Sequence, residues 1–315
     1  MNKRSGERRG CVVVGLDDGI QPAGTLTAAA DEAQRRGVGL SVVTVLRHRI
    51  DADPNIAGHR HKQQWAEAAA LQDLHAAAVS LRFSHPDLTV TTYCLGESEV
   101  GPDRVPLASA ELLVIGTHGQ GSLQSLALES IGHLLLRSSR CAILVIRENS
   151  PAPTLEPGDR PVILVGVSEE PSDALVVRAA YDESVGGGDV LLVNAYALRP
   201  GEAPAQGRDR ARALVSEFVI QAPAGTSVSV MVIEDNPVTA LLRLATRAKL
   251  LVIGGRTGSL SAPDRESVSR MMLESVPCPV LAVPRHLSAG PAAPLTGLVL
   301  TPAEDREPTP SLRAF

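Results

Sequence analysis

The string LLVIG at Leu112–Gly116 recurs as LLVIG at Leu250–Gly254, and each copy opens the same series of segments. The first runs through THGQGS and ESIGHLLLRSS into CAILVI at Cys141–Ile146. The second runs through GRTGS and ESVSRMMLESV into CPVLAV at Cys278–Val283. Each series is an apolar strand, a Gly-rich turn, a helical stretch and a second apolar strand led by cysteine. The chain is therefore an internal duplication. Between LLVIG and the cysteine the second copy is one residue shorter, and that deletion falls in the turn that would hold a ligand.

Working outward, 315 residues accommodate two repeats of roughly 140 to 150 residues, each long enough to bury a core. The core must be aliphatic, because aromatics are 2% of the chain and hydrophobic residues 44%. No apolar run reaches the ~20 residues of a membrane span. The basic start MNKRSGERRG is followed only by CVVVGL before Asp17 and Asp18, too short for a secretion signal, so a cytoplasmic protein is expected. A net charge of −5, with no basic stripe interleaved with aromatics, argues against nucleic acid as a partner. The four cysteines form no CxxC pair, which argues against metal and redox roles. Cys141 and Cys278, at matching positions before strands, read as small buried hydrophobes.

The rest of each half alternates strand and helix. CVVVG (Cys11–Gly15), LSVVTVL (Leu40–Leu46) and DLTVTTYCL (Asp87–Leu95) read as strands, with helices at Leu26–Gly37 and Gln64–Phe83. The second half repeats the order with strands at Pro161–Val167, Asp189–Tyr196 and Thr226–Ile233, and helices at Asp173–Ser184 and Arg208–Ala222. Asn236-Pro237 caps a further helix. Its counterpart at Val100–Ala110 carries Pro102 and Pro106 and should be short or broken. Apolar strands separated by helices imply right-handed crossovers and an α/β fold of two tandem, open, parallel five-stranded sheets with helices on both faces. We expect a flexible start over 1–9, domains at 10–147 and 160–286, a Pro-rich linker at 148–159, and a disordered tail over 287–315 with GLVL as a docking patch. Arg47–Gln64 reads as a loop.

In such a sheet ligands bind beyond the carboxyl ends of the strands, where the strand order reverses. There GLDDG (Gly15–Gly19) would meet GTHGQGS (Gly116–Ser122), whose glycines let the backbone approach an anion at a helix start. The order VVVGLDDG, LTAAADEAQRRG, LSVVTV, AELLVIGTHGQGS, ESIGHLLLRSSRCAILVI resembles the universal stress protein family, specifically its tandem-domain members. That resemblance implies a Rossmann-like five-stranded sheet per domain, adenine-nucleotide binding, and domains paired through their last strands.

The family's ATP-binding members carry an Asp after the first strand and G-x2-G-x9-G followed by Ser or Thr after the fourth. Carried over, Asp17 is the acidic position near the adenosine, Val45 lines the base, and Gly116, Gly119 and Ser130 surround the phosphates. The third glycine position is Glu129, whose carboxylate narrows and opposes a polyphosphate channel. His118, inside the same loop, is a further modulator of phosphate. ATP is therefore disfavoured relative to AMP or adenosine.

The second half departs further. Ser168 stands at the position of Asp17, Thr257 at that of the second glycine, and Glu266 precedes Ser267 as Glu129 precedes Ser130. His59 and His61, with only Asp51 and Asp53 nearby, read as part of a polar loop rather than a metal site. No G-x-S-x-G, P-loop lysine or HExxH occurs, so no enzyme is indicated. The preferred reading is a non-enzymatic stress-response protein, with an adenine-nucleotide sensor in its first half and a degenerate second half, acting on an unidentified protein partner. A nucleotide-free interaction scaffold is the alternative. Intrachain pairing through the last strands is expected, and further homodimerisation is left open.

Overall fold

The computed structural model describes residues 10–16, 23–46, 59–117, 135, 139–147, 160–170, 173–185, 187–255, 268–284 and 299–300. The first half contributes β1 (Cys11–Gly15), α1 (Ala23–Arg36), β2 (Gly39–Leu46), α2 (His59–Ser84), β3 (Val90–Gly96), β4 (Ala110–Thr117) and β5 (Ala142–Arg147). The second contributes β6 (Val162–Gly166), α3 (Asp173–Ser184), β7 (Asp189–Tyr196), α4 (Pro204–Val219), β8 (Val228–Glu234), α5 (Pro237–Ala245), β9 (Ala248–Gly255), α6 (Val268–Ser275) and β10 (Val280–Pro284). β11 (Val299–Leu300) follows.

β1 and β6 show the same burial, three buried residues between two half-buried ones, because apolar β-branched runs are covered on both faces. α1 stops where Gly37 turns the backbone with φ +66°, a conformation that side chains other than glycine's resist. α5 starts on Asn236, whose side chain accepts a hydrogen bond from the Val238 N–H at 2.9 Å. Its proline-containing counterpart in the first half is reduced to two 3-10 turns, Glu97–Glu99 and Leu107–Ser109.

The strands form one sheet in the order β11-β3-β2-β1-β4-β5-β10-β9-β6-β7-β8. Within each half all pairings are parallel. At the centre the last strands run antiparallel, with Val145 opposite Val280, Leu144 opposite Leu281 and Ile143 opposite Ala282. Each otherwise exposed edge is thus satisfied by the other. The apolar layers on both faces are continuous across this seam: one carries Val12, Leu144, Leu281 and Val165, the other Val13, Ile143, Ala282 and Leu164.

Polar contacts also cross it. Arg35 pairs with Glu32 at 2.6 Å and with Glu183 of α3 at 2.5 Å, and Arg36 reaches the same two carboxylates at 3.0 and 2.9 Å. Burial and the charge of Glu32 push the Glu183 carboxyl upward against the pull of both guanidiniums. On the other face Arg147 donates to the Leu273 carbonyl of α6 at 2.6 Å.

Two expectations need correction. Arg47–Gln64 is not wholly a loop, since α2 already begins at His59, where the Ala-rich helix extends through polar HRHKQQ. In the tail, Val299 and Leu300 of the expected GLVL docking patch add an antiparallel edge strand opposite Tyr93 and Thr92, so the expectation of disorder does not hold for these two residues.

Candidate functional site

In the first half the strand order reverses between β1 and β4, with β2 and β3 on one side and β4 and β5 on the other. Leu16, just after β1, is buried and donates its N–H to the Val43 carbonyl at 2.8 Å. Val45 lies two residues beyond the Gly15–Val43 pair, 3% exposed, in the apolar layer with Leu95 and Ile115. Gly116 pairs with Ile146 near the end of β4. The structure thus brings Val45 and Gly116 to the same carboxyl edge, on either side of the end of β1. Asp17, His118, Gly119, Glu129 and Ser130 lie outside the described residues.

Gly116 has a structural reason of its own. A Cβ there would lie 2.3 Å from Oγ1 and 3.2 Å from Cβ of Thr25, a fully buried residue in the first turns of α1. The glycine lets α1 close onto the sheet, whether or not a ligand approaches it. Gly116→Ala should therefore destabilise the protein by about 1–3 kcal/mol through overpacking. Urea denaturation of the ligand-free protein checks this, and an unchanged midpoint would leave anion approach as the only reason for the glycine.

At the matching edge of the second half, the described polar side chains after β6 are engaged with one another. Ser168, at the position of Asp17, donates its N–H at 2.5 Å and its hydroxyl at 2.9 Å to one oxygen of Asp173. Asp173 is 2% exposed at the start of α3, where a carboxylate also suits the helix dipole. Its counterpart in the first half is Pro22. The acid has moved from the first position of the loop to the sixth, and its charge is spent on the loop itself.

Above this lies an ion network. Glu169, one residue beyond Ser168, binds Arg199 at 2.7 Å and also Arg210 of α4. Arg210 contacts Glu202 at 2.9 Å, and Glu202 accepts from the Arg199 N–H at 2.9 Å. The hydrogen-bonded Arg210 guanidinium holds the Glu202 carboxyl down to about 2. Both arginines face carboxylates, so neither is a spare counter-charge for phosphate. Sequence reading passed over Thr25, which looks like an ordinary residue in an Ala-rich helix. It passed over Asp173 too, although Ser-Asp before an apolar run is a helix-start signal.

The thiols of Cys11, Cys141 and Cys278 are not activated nucleophiles. Burial pushes the Cys141 and Cys278 thiols up to about 11 and raises that of Cys11, which keeps them protonated at neutral pH. Among the described residues no group of three or more His, Cys, Asp or Glu could hold a metal, and no helix is long and apolar enough to cross a membrane.

Residues 10–147 match the model of the universal stress protein family. A universal stress protein of Mycobacterium tuberculosis, strain H37Rv, is 27% identical over 285 residues, covering 86% of this chain and 95% of that relative. One described as a universal stress protein from Mycolicibacterium smegmatis is 24% identical over 285 residues, covering 86% and 96%. Among solved structures, a universal stress protein from Archaeoglobus fulgidus superposes with a TM-score of 0.62 at 13% identity, covering 88% of this chain and 98% of that one. A Pseudomonas aeruginosa protein of unknown function gives 0.55 at 16% identity, covering 88% and 92%. These two structures share the fold.

Proposed function

We propose that this chain, a tandem member of the universal stress protein family, is a non-enzymatic stress-response protein that senses an adenine nucleotide through its first half only. The observation that carries the asymmetry is the engagement of the second half's polar residues with one another, in the Ser168–Asp173 contact and the Glu169–Arg199–Arg210–Glu202 network beyond β6 and β7. The first half has Pro22 in place of that internal acid and keeps an acidic residue, Asp17, at the first loop position. In this reading Asp17 contacts the adenosine, Val45 lines the base, and Gly116, Gly119 and Ser130 surround the phosphates, with His118 and Glu129 modulating their affinity. Occupancy would act on a protein partner by favouring one state of the segment between β2 and α2 or of the seam.

Calorimetry with ATP, AMP and adenosine tests this. We expect one site per chain, abolished by Asp17→Ala and unaffected by Ser168→Ala. Equal losses from the two changes, or a loss from the second alone, would overturn the assignment. A protein that binds none of the three would favour the scaffold reading, which the paired glutamates 129 and 266 support.

A further inference from the structure

Aromatic residues are scarce in this chain: one tryptophan, three phenylalanines and three tyrosines. The single tryptophan, Trp65, is 76% exposed on α2, and Phe83 on the same helix is 90% exposed. They stand five helical turns apart, which at 3.6 residues per turn places them on one face. Between them on that face lie Ala69, Gln72, Ala76 and Val79, all exposed. The stripe carries no charge. The opposite face, with Leu74, Ala77 and Leu81, is buried on β2 and β3, so packing against the sheet already has its own side of the helix.

We propose that this stripe is the docking surface for the chain's own segment 301–315, TPAEDREPTPSLRAF, with Leu312 and Phe315 as its anchors. The path of β11 carries the argument. β11 runs antiparallel to β3 from Tyr93 toward Thr92, so the chain leaving Leu300 heads for the start of β3. The last turn of α2 lies there, with Arg82 donating to the Val90 carbonyl at 3.3 Å. Phe83 is in that turn.

Reach is sufficient. The stripe is about 27 Å long at 1.5 Å per residue. The twelve residues from Leu300 to Leu312 span up to about 40 Å when extended, enough to round a helix some 10–12 Å wide and run along it. Pro302, Pro308 and Pro310 favour such extended backbone, and the charges of Glu304, Asp305, Arg306 and Glu307 keep the middle of the segment solvated. A tethered segment acts at a millimolar effective concentration, which a second copy in dilute solution does not match.

Trp65 is a built-in reporter because no other indole contributes to the emission. In the full chain, Leu312→Asp with Phe315→Asp should shift the Trp65 emission to the red and increase its quenching by acrylamide, at every protein concentration and with an unchanged far-ultraviolet dichroism spectrum. Reciprocally, Trp65→Ser with Phe83→Ser should speed trypsin cleavage after Arg313 several-fold. Emission that is already that of a solvated indole and is unmoved by the tail variant would overturn the proposal. So would a blue-shifted emission that reddens on dilution but not in the tail variant, since that outcome assigns the stripe to a second copy.

Discussion

Leu281→Asp should destabilise the chain by about 4 kcal/mol or more, the range reached when an unpaired charge is buried in a core. Leu281 is 2% exposed at the middle of β10 and stands opposite Leu144 of β5. Its layer runs unbroken from Val12 through the seam to Val190. A carboxylate there finds no cation among the apolar side chains of that layer, and it loosens the pairing that satisfies the last strand of both halves. Leu175→Asp, at a 37% exposed position on α3, is the matched control and should stay within about 0.5 kcal/mol. Urea midpoints compared at equal slope decide the matter. Similar midpoints for the two variants would mean that the halves do not depend on each other at the seam.

How far the sequence anticipates this arrangement depends on the range of each signal. The repeated LLVIG and the Cys-led strands are local apolar runs bounded by turns, so they specify parallel strands, their order and a pair of last strands that need partners. Pro102 and Pro106 act on their own backbone, and the loss of a helix at Val100–Ala110 follows from them directly. The start of α2 was not legible, because HRHKQQ has neither a cap nor apolar spacing. It is helical by extension from the Ala-rich stretch that follows, since propagation is easier than nucleation. The apolar GLVL in a polar tail signals docking, but that it docks as a two-residue strand on the edge of β3 is a long-range contact.

The bridges from Arg35 and Arg36 to Glu183 join residues almost 150 positions apart, beyond any periodicity. At the candidate site the same distinction holds. The family resemblance singles out Gly116, but it is the through-space contact with Thr25 that shows why a side chain is excluded there. The engagement of Ser168 by Asp173 in the second half is likewise a contact between a loop and a helix start, and substitution of Asp17 by Ser168 signals only its first part.

Glu129→Gly should strengthen ATP binding far more than adenosine binding, and it is the largest effect expected at the proposed site. Position 129 is where the family's G-x2-G-x9-G pattern, running from Gly116 and Gly119, places its third glycine, immediately before Ser130. In the proposed site a carboxylate there would face a polyphosphate with a charge of the same sign. Like charges ~4 Å apart repel by ~4 kcal/mol at an effective dielectric of about 20, which corresponds to about a thousandfold in affinity as an upper bound. Adenosine carries no phosphate, so its affinity should move little, and AMP should fall between the two. Raising the salt screens the repulsion in the native protein and should narrow the gap between it and the variant for ATP alone. Calorimetric titration of the three ligands against both proteins at low and high salt separates this charge effect from a general opening of the channel, which would strengthen all three without regard to salt. If ATP affinity is the same in both proteins, Glu129 does not face the phosphates, and the weakness for polyphosphates must be sought in another residue of the loop.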